Sequence, residues 1–94
     1  MNTPSTPRFK LGRLLATTAA KQILANAQID PRSLIMRHHQ GDWGDICTED
    51  AELNNDALKH GGRLLSAYTL GNEKIWIITE ADRSATTLLM PEEY

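Results

Sequence analysis

Arg63-Leu-Leu-Ser-Ala-Tyr-Thr-Leu-Gly-Asn-Glu-Lys-Ile-Trp-Ile-Ile-Thr-Glu-Ala-Asp-Arg-Ser-Ala-Thr-Thr-Leu-Leu-Met90 is the stretch that decides the fold. Three runs, Arg63 to Leu70, Lys74 to Glu80 and Ser84 to Met90, have strand character. Gly71-Asn72 separates the first pair at hairpin spacing, and Ala81-Asp82-Arg83 separates the second. Connections this short make both pairs antiparallel. The middle run is apolar at successive positions and rich in β-branched residues, as a central strand covered on both sides should be. Trp76, within it, is expected in the core.

Upstream of this meander the pattern changes to helical spacing. Thr17 or Thr18 offers a hydroxyl cap for a helix over 18–27, with Ala20, Ile23, Leu24 and Ala27 on one face. Asp30-Pro31 marks a second start, because proline lacks only an N–H that the first turn leaves unused. That helix should run to about His39 with Leu34, Ile35 and Met36 as its apolar residues, and Gly41 should stop it. His38 and His39 should flank its buried edge.

A third helix is expected over 49–60, capped by Thr48. Glu49, Asp50 and Glu52 lie early in it and Lys59 and His60 late, so both ends match the helix dipole. Leu53, Ala57 and Leu58 should form its inner stripe, and Gly61-Gly62 its stop. Residues 9–16 read as a short strand or an extended arm. The expectation is therefore one α+β domain over residues 9–94, about three short helices packed on a C-terminal three-stranded antiparallel meander, preceded by a disordered tail over 1–8.

The composition sets limits on function. The chain has 94 residues, enough for one core. No apolar run approaches the roughly 20 residues that span a bilayer, so no membrane contact is expected. The single Cys47 cannot form an internal disulfide, which suits a reducing compartment and, with no secretory signal at Met1, the cytoplasm. We read Cys47 as a small buried residue.

Charge is uneven. Residues 1–40 carry six basic residues against Asp30, a net of +5, whereas residues 41–56 carry six acids and no base, a net of −6. The overall −2 and the acidic segment disfavour nucleic acid, whose binding rests on a basic excess.

The residues with chemical potential cluster between the second and third helices. Gly41-Asp-Trp-Gly-Asp45 has too many turn formers for regular structure and reads as a tight loop around Trp43. Trp43 is either a plug that holds the loop against the core, the favoured reading, or an anchor for a partner. His38, His39, Asp42, Asp45 and Cys47 are all metal-ligand types. Adjacent helical residues nevertheless point about 100° apart, and no paired Cys or His-x-x-x-His spacing accompanies them. Neither metal nor cofactor is expected.

Arg37-His-His-Gln-Gly-Asp-Trp-Gly-Asp45, Arg63-Leu-Leu-Ser-Ala-Tyr68, the run from Ile75 to Thr87, and Leu89-Met-Pro-Glu-Glu-Tyr94 together resemble a family of short bacterial proteins of unknown function. Its members are described as plasmid-related or mobile-element proteins. The resemblance implies a bacterial cytoplasmic protein of the accessory genome. It brings no established activity and no catalytic residue.

The functional expectation is a non-enzymatic module that binds another protein through His39, Asp42, Trp43, Asp45 and Arg83. Two alternatives stand beside it. His39, Tyr68 and Arg83 on a helix-plus-meander layout can be cast as base, acid and cation of an RNA-cleaving enzyme, by architectural analogy with small ribonucleases of the barnase type. An uncovered sheet edge or face can instead join two copies as a homodimer. On the non-catalytic view the threonines Thr86 and Thr87 serve β-propensity on an exposed face, and Arg83 is a turn residue paired to Asp82 or Glu80.

Overall fold

Both hairpins form, and a fourth strand joins them. The computed structural model describes residues 8–94. In chain order it contains β1 (Arg13–Ala16), α1 (Thr18–Asn26), α2 (Pro31–His39), α3 (Thr48–His60), β2 (Leu64–Leu70), β3 (Glu73–Thr79) and β4 (Ala85–Leu89), then a short 3-10 turn at Pro91–Glu93. Of the expected tail, residues 1–7 lie outside the described residues. Arg8 is fastened to the body, its N–H donating to the carbonyl of His39 at 3.2 Å.

The sheet order is β1-β4-β3-β2. β2/β3 and β3/β4 are antiparallel, with Tyr68 opposite Ile75 and Ile77 opposite Leu88. β1 lies parallel to β4, Leu15 opposite Thr87, so the sheet is mixed. A parallel pair needs a long crossover, and the three helices and the β2–β3 hairpin between β1 and β4 provide it.

Register decides which residues form the core. Leu64, Ser66 and Tyr68 of β2 share a face with Ile75, Ile77 and Thr79 of β3 and with Thr86 and Leu88 of β4. Ala20 and Leu24 of α1 and Leu34 of α2 cover that face, all buried. Each such Leu or Ile contributes about 1.5–3 kcal/mol. The helices start where the sequence marks them: the Thr17 side chain accepts from the N–H of Ala20, and the Asp30 carboxylate from that of Arg32.

Five expectations are corrected. Cys47, not Thr48, occupies the cap position of α3, makes no capping bond, and is exposed. Leu53 is 64% exposed, because Asn54 takes the inward position beside Ala57. Trp76 alternates with the inward Ile75 and Ile77 and so lies half-buried on the opposite face, its ring 5.8 Å from that of Tyr94. Thr86 is fully buried, since its register partner Thr79 faces the helices.

Candidate functional site

The segment from His38 to Asp45 is where α2 ends and the chain turns along the sheet. His38 is completely buried. Its two ring nitrogens contact Ser66 Oγ and, at 2.9 Å, Thr79 Oγ1. Thr79 Oγ1 is 2.7 Å from Thr86 Oγ1, and the Thr86 hydroxyl donates to the carbonyl of Leu11.

That last acceptor orders the whole chain of protons. Thr86 gives its proton to Leu11, so it accepts from Thr79, which in turn accepts from Nε2–H of His38. The neutral Nδ1 then accepts from Ser66. Burial, with a smaller contribution from the charge of neighbouring His39, pushes His38 down to about 4. The ring is therefore neutral at physiological pH. Although Ser66 and His38 form a Ser–His pair, both are fully buried, and a substrate has no access to them.

His39 serves the N-terminal arm. Its Nε2–H donates to the Phe9 carbonyl at 2.8 Å. The Phe9 ring packs edge-on to His38 and His39 and stacks on Trp43. Arg83 Cζ lies 5.9 Å from the same ring. Phe9 is thus the hub of an aromatic cluster that holds the arm to the fold.

Trp43 is the plug: it is 7% exposed, packed with Ala57 and Leu64. Asp42 pairs with Arg37 at 2.7 Å and accepts from the N–H of Gly44. The Arg37 hydrogen bond holds the Asp42 carboxyl below its ordinary range. Arg37 lies over the Tyr68 ring, and the Tyr68 hydroxyl donates to the Asp42 carbonyl. Burial pushes that phenol up to about 12.

Gly44 has φ +76°, and a Cβ there would run into the carbonyl oxygen of Ala67 and the Tyr68 ring. This close approach lets the loop lie against β2 like a further strand. Ala67 donates to the Trp43 carbonyl and accepts from the Asp45 N–H. The Asp45 carboxylate takes the Thr69 N–H, and hydrogen bonds from Thr69 lower its pKa. One residue pair along, the Asn54 side chain accepts from the Leu65 N–H and donates to the Leu65 carbonyl. The outer edge of β2 is sealed.

Arg83 sits on the β3–β4 turn with φ +62°. Its guanidinium donates to the carbonyls of Gly62, Glu80, Ala81 and Ala57, closing the turn onto the end of α3. The pairing with Asp82 or Glu80 side chains expected for it is replaced by these carbonyls. Asp82 instead accepts from the N–H of Ser84.

Of the expected binding residues, then, His39, Asp42, Trp43, Asp45 and Arg83 all lie around the Phe9 cluster and the β2 edge, and each is held by contacts within the chain. Sequence reasoning missed His38, Ser66, Thr79 and Thr86 as a connected set. Only the pairing register brings them together. Among the described residues no three His, Cys, Asp or Glu side chains come together as a metal cage, and no helix is long and apolar enough to cross a membrane.

The other edge of the sheet is unlike the first. The N–H groups of Arg13 and Thr17 donate to Ser84 and Leu88, so the odd-numbered residues of β1 point into the sheet and Leu14 and Ala16 point their backbone groups outward. No described strand pairs with that side. Leu14 is 53% exposed and Leu15 42%. Beside them a shallow groove of about 310 Å³ is walled by Ala16, Lys21, Pro31, Ile35 and Leu88.

Searches of protein-family models, of curated proteins and of solved structures find nothing that matches this chain.

Proposed function

We propose that the protein is a non-enzymatic protein-binding module and that the outer edge of β1 is its contact surface. One observation carries this reading: among the described residues the sheet has one sealed edge and one open edge, and the open one exposes two leucines next to backbone groups that no described strand pairs. Such an edge is a template for a strand from another chain. The groups that an RNA-cleaving reaction would need support the same view. Tyr68 is buried and donates to a carbonyl, Arg83 is spent on four carbonyls, and His39 is tied to Phe9.

A bacterial accessory-genome setting belongs to this proposal through the resemblance carried by residues 37–45, 63–68, 75–87 and 89–94. The cytoplasm does too, as the compartment that keeps the exposed thiol of Cys47 reduced.

Proline scanning of β1 tests the reading. The Leu14 N–H points outward, so Leu14→Pro should leave the fold intact while removing a donor that a partner strand would use. A photo-crosslinking residue at position 15 should give a discrete adduct in cells, lost in the Leu14→Pro background. Absence of any adduct, together with RNA degradation that depends on His39 and Arg83, would favour the enzymatic reading.

A further inference from the structure

We infer that β1 accepts an extended, acidic and apolar segment of a partner protein as a fifth strand. This rests on the protein-binding reading above and names the chemistry of the partner.

The backbone sets the geometry. Leu14 and Ala16 each offer an outward N–H and C=O, with Leu15 between them facing the other side of the sheet. A strand laid along β1 can bond to both. Its residues on the helix side would enter the groove between Ala16, Pro31, Ile35 and Leu88, which suits an apolar side chain of moderate size. Residues on the opposite face would meet the exposed Leu15. The segment should therefore alternate, with apolar residues over the groove.

Charge selects the rest. Arg13 lies in the strand and Lys21 lines the groove, and neither has a carboxylate within ion-pair distance among the described residues. The nearby acids are engaged: Asp30 pairs with Arg32, and Glu93 accepts from the Thr17 hydroxyl and the Met90 N–H. The open edge thus carries two cations without an ion-pair partner among the described residues, Arg13 and Lys21, against the one carboxylate of Glu93 at its end, whereas the acidic residues 42–56 belong to the sealed side. An acidic segment meets attraction at Arg13 and Lys21.

Selection from a displayed library of random nine-residue peptides on the immobilised full chain tests the inference, followed by amide chemical-shift mapping with the enriched peptides. Enriched sequences should alternate apolar and acidic residues and shift the Leu14 and Ala16 amides. They should bind at least ten-fold more weakly to the Arg13→Glu, Lys21→Glu double variant and to Leu14→Pro, with the variants' thermal melts confirming that they fold.

Enriched peptides that map to another surface, or that bind the double variant equally well, would overturn this inference and leave the protein-binding reading standing. Concentration-dependent self-association abolished by Leu15→Arg would overturn it in favour of a homodimer. A monomer that enriches no peptide would overturn both.

Discussion

Along β2 the outward N–H and C=O groups of Leu65 and Ala67 meet Asn54 and the Trp43–Asp45 loop, and the Thr69 N–H meets the Asp45 carboxylate. Along β1 those of Leu14 and Ala16 meet none among the described residues. The two edges carry the same polar groups, and a free edge invites another chain. The chain devotes a glycine, an asparagine, two aspartates and a tryptophan to closing one side. At the other it presents four residues, RLLA, with two leucines toward solvent. This difference is the ground for proposing the contact surface at β1 and not in the acidic segment 42–56.

The strongest way to break the contrast is to reopen β2. Gly44→Ala adds a Cβ at positive φ against the Ala67 carbonyl, so the loop must leave the edge. We expect a loss of roughly 3 kcal/mol or more in urea unfolding. A gain of aggregation should accompany it, since both edges would then be open.

Acid should loosen the link between the two sides, because the proton chain from Ser66 through His38, Thr79 and Thr86 to Leu11 spans the sheet toward β1. The unfolded chain takes up a proton at the ordinary histidine value of 6.5, but the fold resists protonation to about 4. Stability is therefore whole above 6.5 and declines as pH falls from 6.5 to 4. The total is about 3 kcal/mol. Urea midpoints across this window should fall, and His38→Gln should flatten the dependence.

A smaller and more local effect is expected of Asn54→Ala. It leaves the N–H and C=O of Leu65 without their partner, at a cost of about 2 kcal/mol. Hydrogen exchange at the Leu65 amide should quicken more than at Ala67. The smallest effect belongs to the open side. Leu15→Thr should change folding stability by no more than about 0.5 kcal/mol, as for surface positions without special contacts, yet weaken partner binding, measured by calorimetry with a selected peptide.

Much of the fold is legible in the residues. Gly71-Asn72, Asp30-Pro31, Thr17 and Gly61-Gly62 are local signals, because each depends on backbone geometry within one turn. Residues 9–16 read as a short strand or an extended arm, of which Arg13–Ala16 forms the strand, but its parallel pairing with β4 is not legible locally. That pairing joins segments some seventy residues apart, as Arg13 opposite Ala85 shows. Asn54 and Leu53 exchanged roles for the same kind of reason. Apolar spacing favoured the leucine inward, while the unpaired backbone of Leu65 required an amide.

The candidate site was legible in composition and not in purpose. Trp43 between two glycines, with Asp42 and Asp45 beside it, stood out as a cluster, and the structure employs it to seal an edge and seat the Phe9 arm. Arg83 stood out as a cation and closes a turn onto α3. His38 stood out as a ligand type at the buried edge of α2, but its hydrogen-bond role did not, since its partners Ser66 and Thr79 come from two strands far along the chain.

The sequence by itself determined the elements, their order and the two hairpins, because propensity, capping and turn chemistry act over a few residues. Only the tertiary structure decided which edge of the sheet is closed and which polar groups are buried. Those outcomes depend on register between distant strands, where a shift of one residue exchanges the inward and outward faces.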